Sequence, residues 1–119
     1  MQTIQVSPQT VIQHHLDALA NNDLNELLKD YSEGVELWTP DNEIIGLDGI
    51  SSFFSFAFTL LPKGKSSLEL TKMTIKGNKV FLVWKADSPL VSVPYGTDCF
   101  QIDDDKITWQ TTAFQIIQK

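Results

Sequence analysis

The hydrophobic pattern predicts a helical opening to the chain. Ser7 followed by Pro8 is typical of a helix start, because the serine can cap free amides and proline loses no hydrogen bond in the first turn. Asp23, with Glu26 three residues later, forms a capping box for a second, shorter helix over DLNELLKDY. The first of the two helices carries a stripe at helical spacing, made by Val11, Ile12, His15, Leu16 and Leu19.

The rest of the pattern predicts strands interrupted by one more helix. After Gly34, VELWT has strand composition, and a turn at residues 40–42 returns the chain through EIIG. Asp48 can cap a third helix, which has an apolar side of Ile50, Phe53, Phe54 and Phe58. Four long strands then follow as an antiparallel meander. Helices packed against such a sheet predict an α+β fold, and 119 residues fit one domain spanning 1–119.

One strand of the meander places a carboxylate on its apolar face. In VPYGTDCFQI, side chains alternate between the two faces, so Asp98 shares a face with Gly96, Phe100 and Ile102. A buried carboxylate needs a partner, a raised pKa or a polar cavity. Asp98 is therefore the leading candidate for a functional residue. The alternative is structural, with Asp98 accepting from a tryptophan indole or from a backbone amide near Gly96.

Composition excludes several classes of function. The net charge is -6, and all nine basic residues are lysine, so nucleic-acid binding and phosphate recognition by guanidinium groups are not expected. A single cysteine, Cys99, excludes an internal disulfide, and no His/Cys cluster has the spacing of a metal site. We expect no metal and no cofactor. The chain carries no signal-peptide pattern and no apolar run long enough for a membrane span, so we expect a cytoplasmic protein with no membrane contact.

Three segments together resemble the SnoaL-like and ketosteroid-isomerase-like branch of the nuclear transport factor two superfamily. They are QHHLDALANNDLNELLKDYSEGVEL, the GLDGISSFF step into the third helix, and the closing hairpin GTDCFQIDDDKITWQTTAF. The resemblance runs over nearly the whole chain. It implies a cone, in which a strongly curved, antiparallel or mixed sheet wraps around three N-terminal helices and encloses a deep pocket.

The resemblance also implies which residues would carry chemistry. In ketosteroid isomerases a strand Asp and a helix Tyr donate to an oxyanion, and a second Asp moves the proton. Asp98 matches the strand Asp, but His15 stands at the Tyr position and Thr39 at the position of the proton-transferring Asp. A threonine hydroxyl cannot act as a base near neutral pH, which argues against steroid isomerisation. The remaining catalytic candidates, Asp98 and His15, also resemble SnoaL-like cyclases, in which an Asp within the cone serves as general acid and base.

We expect Asp98 and His15 to lie within hydrogen-bonding reach, directly or through one water. Either Asp98 is neutral because its pKa is raised, or it stays ionised beside a protonated His15; we favour the second arrangement. His14, a quarter turn away, is expected to face solvent. The expected ligand-binding residues combine positions that match the family's steroid site with polar and aromatic neighbours; these are Trp38, Thr39, Phe53, Phe54, Trp84, Gln110 and Phe114.

Two functions remain open from the sequence. In the first, a small hydrophobic carbonyl compound enters the cone and Asp98 with His15 moves a proton in an isomerisation or cyclisation. In the second, the pocket only holds a ligand or is vestigial, a reading that Thr39 favours. The family resemblance also implies a homodimer through the outer face of the sheet, where Tyr95, Thr97 and Trp109 are expected to point outward.

Overall fold

The computed structural model describes residues 7–119. Its elements follow the predicted order of two helices, two strands, one helix and a meander of four long strands, to which a short final strand is added. The helices are α1 (Pro8–Ala20), α2 (Leu24–Leu28) and α3 (Gly46–Leu60). The strands are β1 (Tyr31–Trp38), β2 (Glu43–Ile45), β3 (Ser67–Lys76), β4 (Lys79–Asp87), β5 (Val91–Asp103), β6 (Lys106–Phe114) and β7 (Ile117–Gln118).

Two of the three predicted helix caps are confirmed. The Ser7 hydroxyl accepts from the Thr10 amide at 3.2 Å, and the Asp23 carboxylate accepts from the Glu26 amide at 3.2 Å. The prediction that Asp48 caps α3 is wrong, because Gly46 has a φ of 79° and takes the chain from β2 straight into the helix. Asp48 lies inside the first turn of α3, where its negative charge interacts favourably with the positive end of the helix dipole.

The strands form one mixed, curved sheet, as the α+β prediction requires. Its order is β2-β1-β6-β5-β4-β3, with β7 paired to β5. All pairs are antiparallel except β1 with β6. Register shifts interrupt the β3–β4, β4–β5 and β5–β6 pairs, and such bulges bend strands and increase their twist. The sheet therefore curves around the helices, which is the cone fold.

The core lies between the helices and the concave face of the sheet. Its fully buried members include Ile12 from α1, Ile50 from α3 and Phe100 from β5. Each such side chain contributes about 1.5–3 kcal/mol by leaving water. No helix within residues 7–119 has the length and apolarity needed to cross a membrane.

The first strand starts earlier than the sequence pattern predicts. β1 begins at Tyr31, which pairs with Ile107, whereas the prediction placed Tyr31 in the second helix and began the strand after Gly34. The register between β1 and β6 shifts between Tyr31 and Glu36, so strict alternation fails there. This early start places the Tyr31 side chain in the core, near the site described below.

Candidate functional site

A cavity of about 280 Å³ opens between the concave face of the sheet and helices α1 and α3. This is close to the lower end of the roughly 300–1,000 Å³ typical of ligand pockets. Its inner wall is made of buried apolar side chains such as Phe54, Leu82 and Val93. Its lining residues that are exposed to solvent form the mouth, and they are Ala20, Phe56, Lys63, Gly64, Ser66, Ser67, Leu68, Phe114 and Ile116.

Asp98 lies on the cavity side of β5, as the alternation in the sequence predicts. Gly96, Phe100 and Ile102 on the same face are buried, whereas Tyr95 on the other face is 61% exposed. Across the ladder Asp98 faces Thr112 of β6 and Leu82 of β4. The two neighbouring strands therefore present their inward side chains to the same carboxylate.

Three side chains donate hydrogen bonds to the Asp98 carboxylate. Thr112 Oγ1 donates to Oδ1 at 2.6 Å, and Trp84 Nε1 donates to the same oxygen at 3.2 Å. Gln110 Nε2 donates to Oδ2 at 3.1 Å. The structural role weighed from the sequence, acceptance from a tryptophan indole, is therefore real. A carboxylate offers about four acceptor positions, so Oδ2 keeps a lone pair that no described residue uses.

A buried tyrosine fixes the direction of this network. Tyr31 OH donates to Gln110 Oε1 at 2.6 Å, so the amide nitrogen of Gln110 must point the other way, toward Asp98. Tyr31 is 3% exposed and Gln110 is 1% exposed. The pKa of Tyr31 lies well above its usual value because the ring is buried and Asp98 is nearby. Tyr31 thus remains a donor across the ordinary pH range.

The pKa of Asp98 is raised to about 6, because burial disfavours the charged carboxylate. The hydrogen bonds from Thr112, Trp84 and Gln110 oppose the rise by stabilising the ionised form. The result is a carboxyl group that is mostly ionised at neutral pH yet easily protonated. A pKa close to the working pH is the property that general acids and bases require.

Gly96 makes room for the Trp84 indole. The two residues face each other across the β4–β5 ladder. A Cβ atom added to Gly96 would overlap Cε2, Cζ2 and Cδ2 of that ring. The glycine therefore lets the indole lie flat against β5, which is the position from which its Nε1 reaches Asp98.

The predicted pairing of His15 with Asp98 is wrong as a direct hydrogen bond and as an ion pair. His15 is 1% exposed, and neither ring nitrogen has a hydrogen-bond partner among the described residues. Burial lowers the pKa of His15 to about 3, with a smaller effect from the charge of His14. His15 packs edge-on against the rings of Tyr31, Phe54 and Phe100 and lines the cavity as a neutral aromatic residue.

His14, expected to face solvent, is instead only partly exposed and makes ionic contacts. Its Nδ1 lies 2.8 Å from both carboxylate oxygens of Asp30, and its Nε2 lies 3.4 Å from Glu26 Oε1. The hydrogen bond to Asp30 raises the pKa of His14. Burial raises the pKa of Asp30 despite that partner. His14 therefore joins α1 to the segment between α2 and β1.

The structure brings most of the predicted ligand-binding residues together. Phe53, Phe54, Trp84 and Phe114 line the cavity with Asp98 and His15. Gln110 lies behind the wall and reaches the cavity through Asp98.

Trp38 and Thr39 do not line the cavity. Trp38 is 44% exposed in a shallow groove on the outer face, where it donates to Glu36 Oε1 at 3.0 Å and packs edge-on against Trp109. The Thr39 hydroxyl accepts from the amides of Asp41 and Asn42 and so stabilises the turn between β1 and β2. Both residues lie at the end of β1, where the inward position is taken by Leu37.

The sequence did not reveal Tyr31 or, apart from Phe114, the residues of the mouth. Tyr31 was assigned to a helix, and only the broken alternation of β1 could have revealed its inward side chain. The mouth is built by the ends of α1 and α3, the loop after α3, the start of β3 and the end of β6 with the segment that follows it. These segments have no common periodicity, so no pattern in the sequence groups them.

The family comparison gives a match over most of the chain. The model of the SnoaL-like domain matches residues 12–110. A comparison with curated proteins finds no match.

Solved structures with the same fold are similar over nearly their whole length. An NTF2-like protein of unknown function from Cytophaga hutchinsonii has a TM-score of 0.76 at 14% identity, covering 96% of this chain and 95% of that one. A protein from Sinorhizobium meliloti, provisionally assigned as a polyketide cyclase, has a TM-score of 0.74 at 17% identity, with coverages of 90% and 99%. An LEH-like epoxide hydrolase from M. tuberculosis has a TM-score of 0.71 at 15% identity, with coverages of 91% and 82%. At these identities the likeness establishes the fold alone.

Proposed function

The chain belongs to the SnoaL-like domain family, and on that premise we propose that it binds a small apolar molecule in its cavity and transfers a proton on that molecule through Asp98. The observation that carries the proposal is the Asp98 carboxylate itself. It is an ionisable group inside a mainly apolar cavity, it accepts hydrogen bonds from three donors, and its pKa is about 6.

The lone pair of Asp98 Oδ2 is the proposed point of proton transfer. Oδ1 already accepts from Thr112 and Trp84, whereas Oδ2 accepts only from Gln110 among the described residues. A ligand carbon next to a carbonyl would lose its proton to Oδ2, and the same proton would return to another atom of the ligand. Such a transfer is an isomerisation or an intramolecular ring closure, and it needs no oxidant, reductant or second substrate.

His15 has a different role from the proton transfer that its position in the sequence indicated. Its nitrogens are buried and its pKa is about 3, so it neither carries a positive charge near neutral pH nor relays a proton to Asp98. We assign it to the cavity wall, where its ring supplies contact surface.

A second candidate function is ligand binding without chemistry. Thr39 favours it, because this residue occupies the family's position for the proton-transferring acid, yet its hydroxyl is engaged in a turn outside the cavity. Of the similar folds, one is provisionally a polyketide cyclase and one is an epoxide hydrolase, which are precedents for chemistry, whereas a third has no known function and favours neither candidate.

Hydrogen exchange on bound ligands separates the two candidates. A panel of small hydrophobic ketones would be incubated with the protein in D₂O, and deuterium incorporation next to the carbonyl would be followed by mass spectrometry. Calorimetric titration of each ketone would report binding. Exchange that falls at least about 100-fold in Asp98→Asn, with binding retained, supports proton transfer. Binding without exchange favours the second candidate, and absence of binding contradicts both.

A further inference from the structure

We propose that the ligand of this cavity is an amphipathic carboxylate, which places its apolar part beside Asp98 and its carboxylate at the mouth beside Lys63. The inference rests on the proposed function, because it names the class of ligand for the same cavity. It goes further by assigning an orientation to the ligand and a role in specificity to Lys63.

The charges of the cavity are separated along its depth. Among the described residues, two lining side chains are charged near neutral pH, namely Asp98 in the interior and Lys63 at the mouth. The remaining walls are mainly apolar or aromatic. A molecule that carries one negative charge is therefore repelled from the interior end and attracted to the mouth.

Lys63 is available to a ligand. It is exposed, and it makes no ion pair with any acid in residues 7–119, although the lysines at positions 29, 85 and 119 each pair with one. Other lysines of the described residues are also free of ion pairs, but Lys63 is the lysine among them that lines the cavity. No other side chain of the described lining offers a positive charge to a carboxylate.

The loop that carries Lys63 is held in place on both sides. Asn22 Nδ2 donates to the Leu61 carbonyl at 2.9 Å, and Ser88 Oγ donates to the Leu60 carbonyl at 2.7 Å. Within the loop, Ser66 Oγ donates to the Pro62 carbonyl at 2.7 Å. These bonds tie the end of α3 to the α1–α2 turn and to the β4–β5 turn. The lysine backbone is therefore fixed at the rim before any ligand arrives, which lowers the entropic cost of binding.

The mouth has exposed apolar side chains that can contact the part of an amphipathic ligand next to its carboxylate. Phe56 is 65% exposed, and Leu68, Phe114 and Ile116 are each close to 40% exposed. These four apolar side chains surround the opening through which an alkyl or ring system would pass. A ligand whose charged group stays at Lys63 would cover this apolar rim and keep its own carboxylate hydrated.

The test compares octanoate with 1-octanol, which has a similar apolar chain and no charge. Both would be titrated calorimetrically into the wild-type protein at low salt and about pH 8, where octanoate and Asp98 are ionised. We expect octanoate to bind about two- to five-fold more tightly than the alcohol, as an exposed ion pair allows. In Lys63→Gln this preference should disappear. Lys65→Gln is the matched control, because Lys65 lies on the same loop but does not line the cavity, and it should retain the preference.

Each outcome has one meaning. Equal binding of the two probes to the wild-type protein, or a preference for octanoate that survives in Lys63→Gln, overturns the assignment of Lys63. Binding of octanol alone also overturns it but leaves the proposed apolar pocket standing. If neither probe binds, the proposed function itself is contradicted, and the assignment of Lys63 fails with it.

Discussion

Trp84 donates its indole hydrogen to Asp98 from a position that exists only because residue 96 is a glycine. The Nε1 to Oδ1 distance is 3.2 Å, and the ring lies over the backbone of β5 where any Cβ would overlap it. The raised pKa of the acid is therefore set by neighbours on two strands as well as by burial. This relationship connects a backbone feature to the protonation state of the candidate catalytic group.

Gly96→Ala should raise the pKa of Asp98 further. The added methyl group displaces the Trp84 ring, so the carboxylate loses one of its three donors. We also expect a loss of about 1–3 kcal/mol in the free energy of unfolding, as for other overpacked sites. Carbon NMR of the Asp98 carboxyl group and urea unfolding would measure the two effects.

Gly34→Ala is the control for that variant. A Cβ at Gly34 would meet nothing within 4 Å, so neither the pKa of Asp98 nor the packing near Trp84 should change. If Gly96→Ala leaves the Asp98 titration where it is in the wild-type protein, the indole does not contribute to the ionisation of Asp98.

Asp98→Asn should change how stability depends on pH. The pKa of Asp98 is about 6 in the folded protein against a usual value of 3.8, so the folded state holds its proton to higher pH than the unfolded state does. Stability from this group is present below the usual pKa and is lost as the pH rises through the folded value. The Asp98→Asn variant has no carboxyl group at this position to titrate, so its stability should not fall in this way. Between those two pH values, the wild-type protein should lose on the order of 3 kcal/mol relative to the variant.

Unfolding titrations in urea over this pH range would measure the difference, with Asp41→Asn in the exposed turn as a control. A constant difference between the wild-type protein and Asp98→Asn would mean that Asp98 has an ordinary pKa. It would then be unsuited to acid–base chemistry near neutral pH.

His15→Leu should produce the opposite change. The pKa of His15 falls from 6.5 to about 3 on folding, so the unfolded chain takes up a proton that the folded protein refuses. The contribution of His15 to wild-type stability should therefore decline by at most about 1.4 kcal/mol per pH unit as the pH falls below 6.5, and the leucine variant should lack this contribution. Since neither ring nitrogen of His15 has a partner within residues 7–119, the variant should be no less stable than the wild-type protein at low pH.

Asp98 and His15 have opposite effects on stability over the pH range in which both titrate. Between about pH 4 and 6, Asp98 removes stability as the pH rises while His15 restores it. The wild-type protein should therefore have a flatter profile than either variant. A His15→Leu profile that matches the wild type would show that the pKa of His15 is the same in the folded and unfolded states, which contradicts its role as a buried neutral ring.

The sequence was sufficient to predict the fold and the position of Asp98, because both depend on local periodicity. Alternation along β5 correctly placed Asp98 on the face of Phe100, and the helical stripe placed Ile12 and His15 inside. Family resemblance added the curved sheet and the cone. Strand alternation repeats every two residues and a helical stripe every 3.6 residues, so both can be read from a single sequence.

The contacts made by those residues could not be predicted in the same way. His15 and Asp98 both line the cavity, but their separation depends on packing among Tyr31, Phe54 and Phe100, which no spacing encodes. Thr39 was placed by its family position and Trp38 as an aromatic candidate, and both predictions depended on which side chain of β1 points inward. The dimer through the outer face of the sheet stays a prediction.

The pH titration of the Asp98 carboxyl group by carbon NMR tests the central claim most directly. In the wild-type protein, the carboxyl resonance should titrate with a midpoint near 6, and the midpoint should move when a ketone or octanoate fills the cavity beside Oδ2 and lowers the local polarity. A midpoint at or below the usual 3.8, unaffected by either molecule, would contradict the account, because Asp98 would then be a structural acceptor with no contact to the ligand.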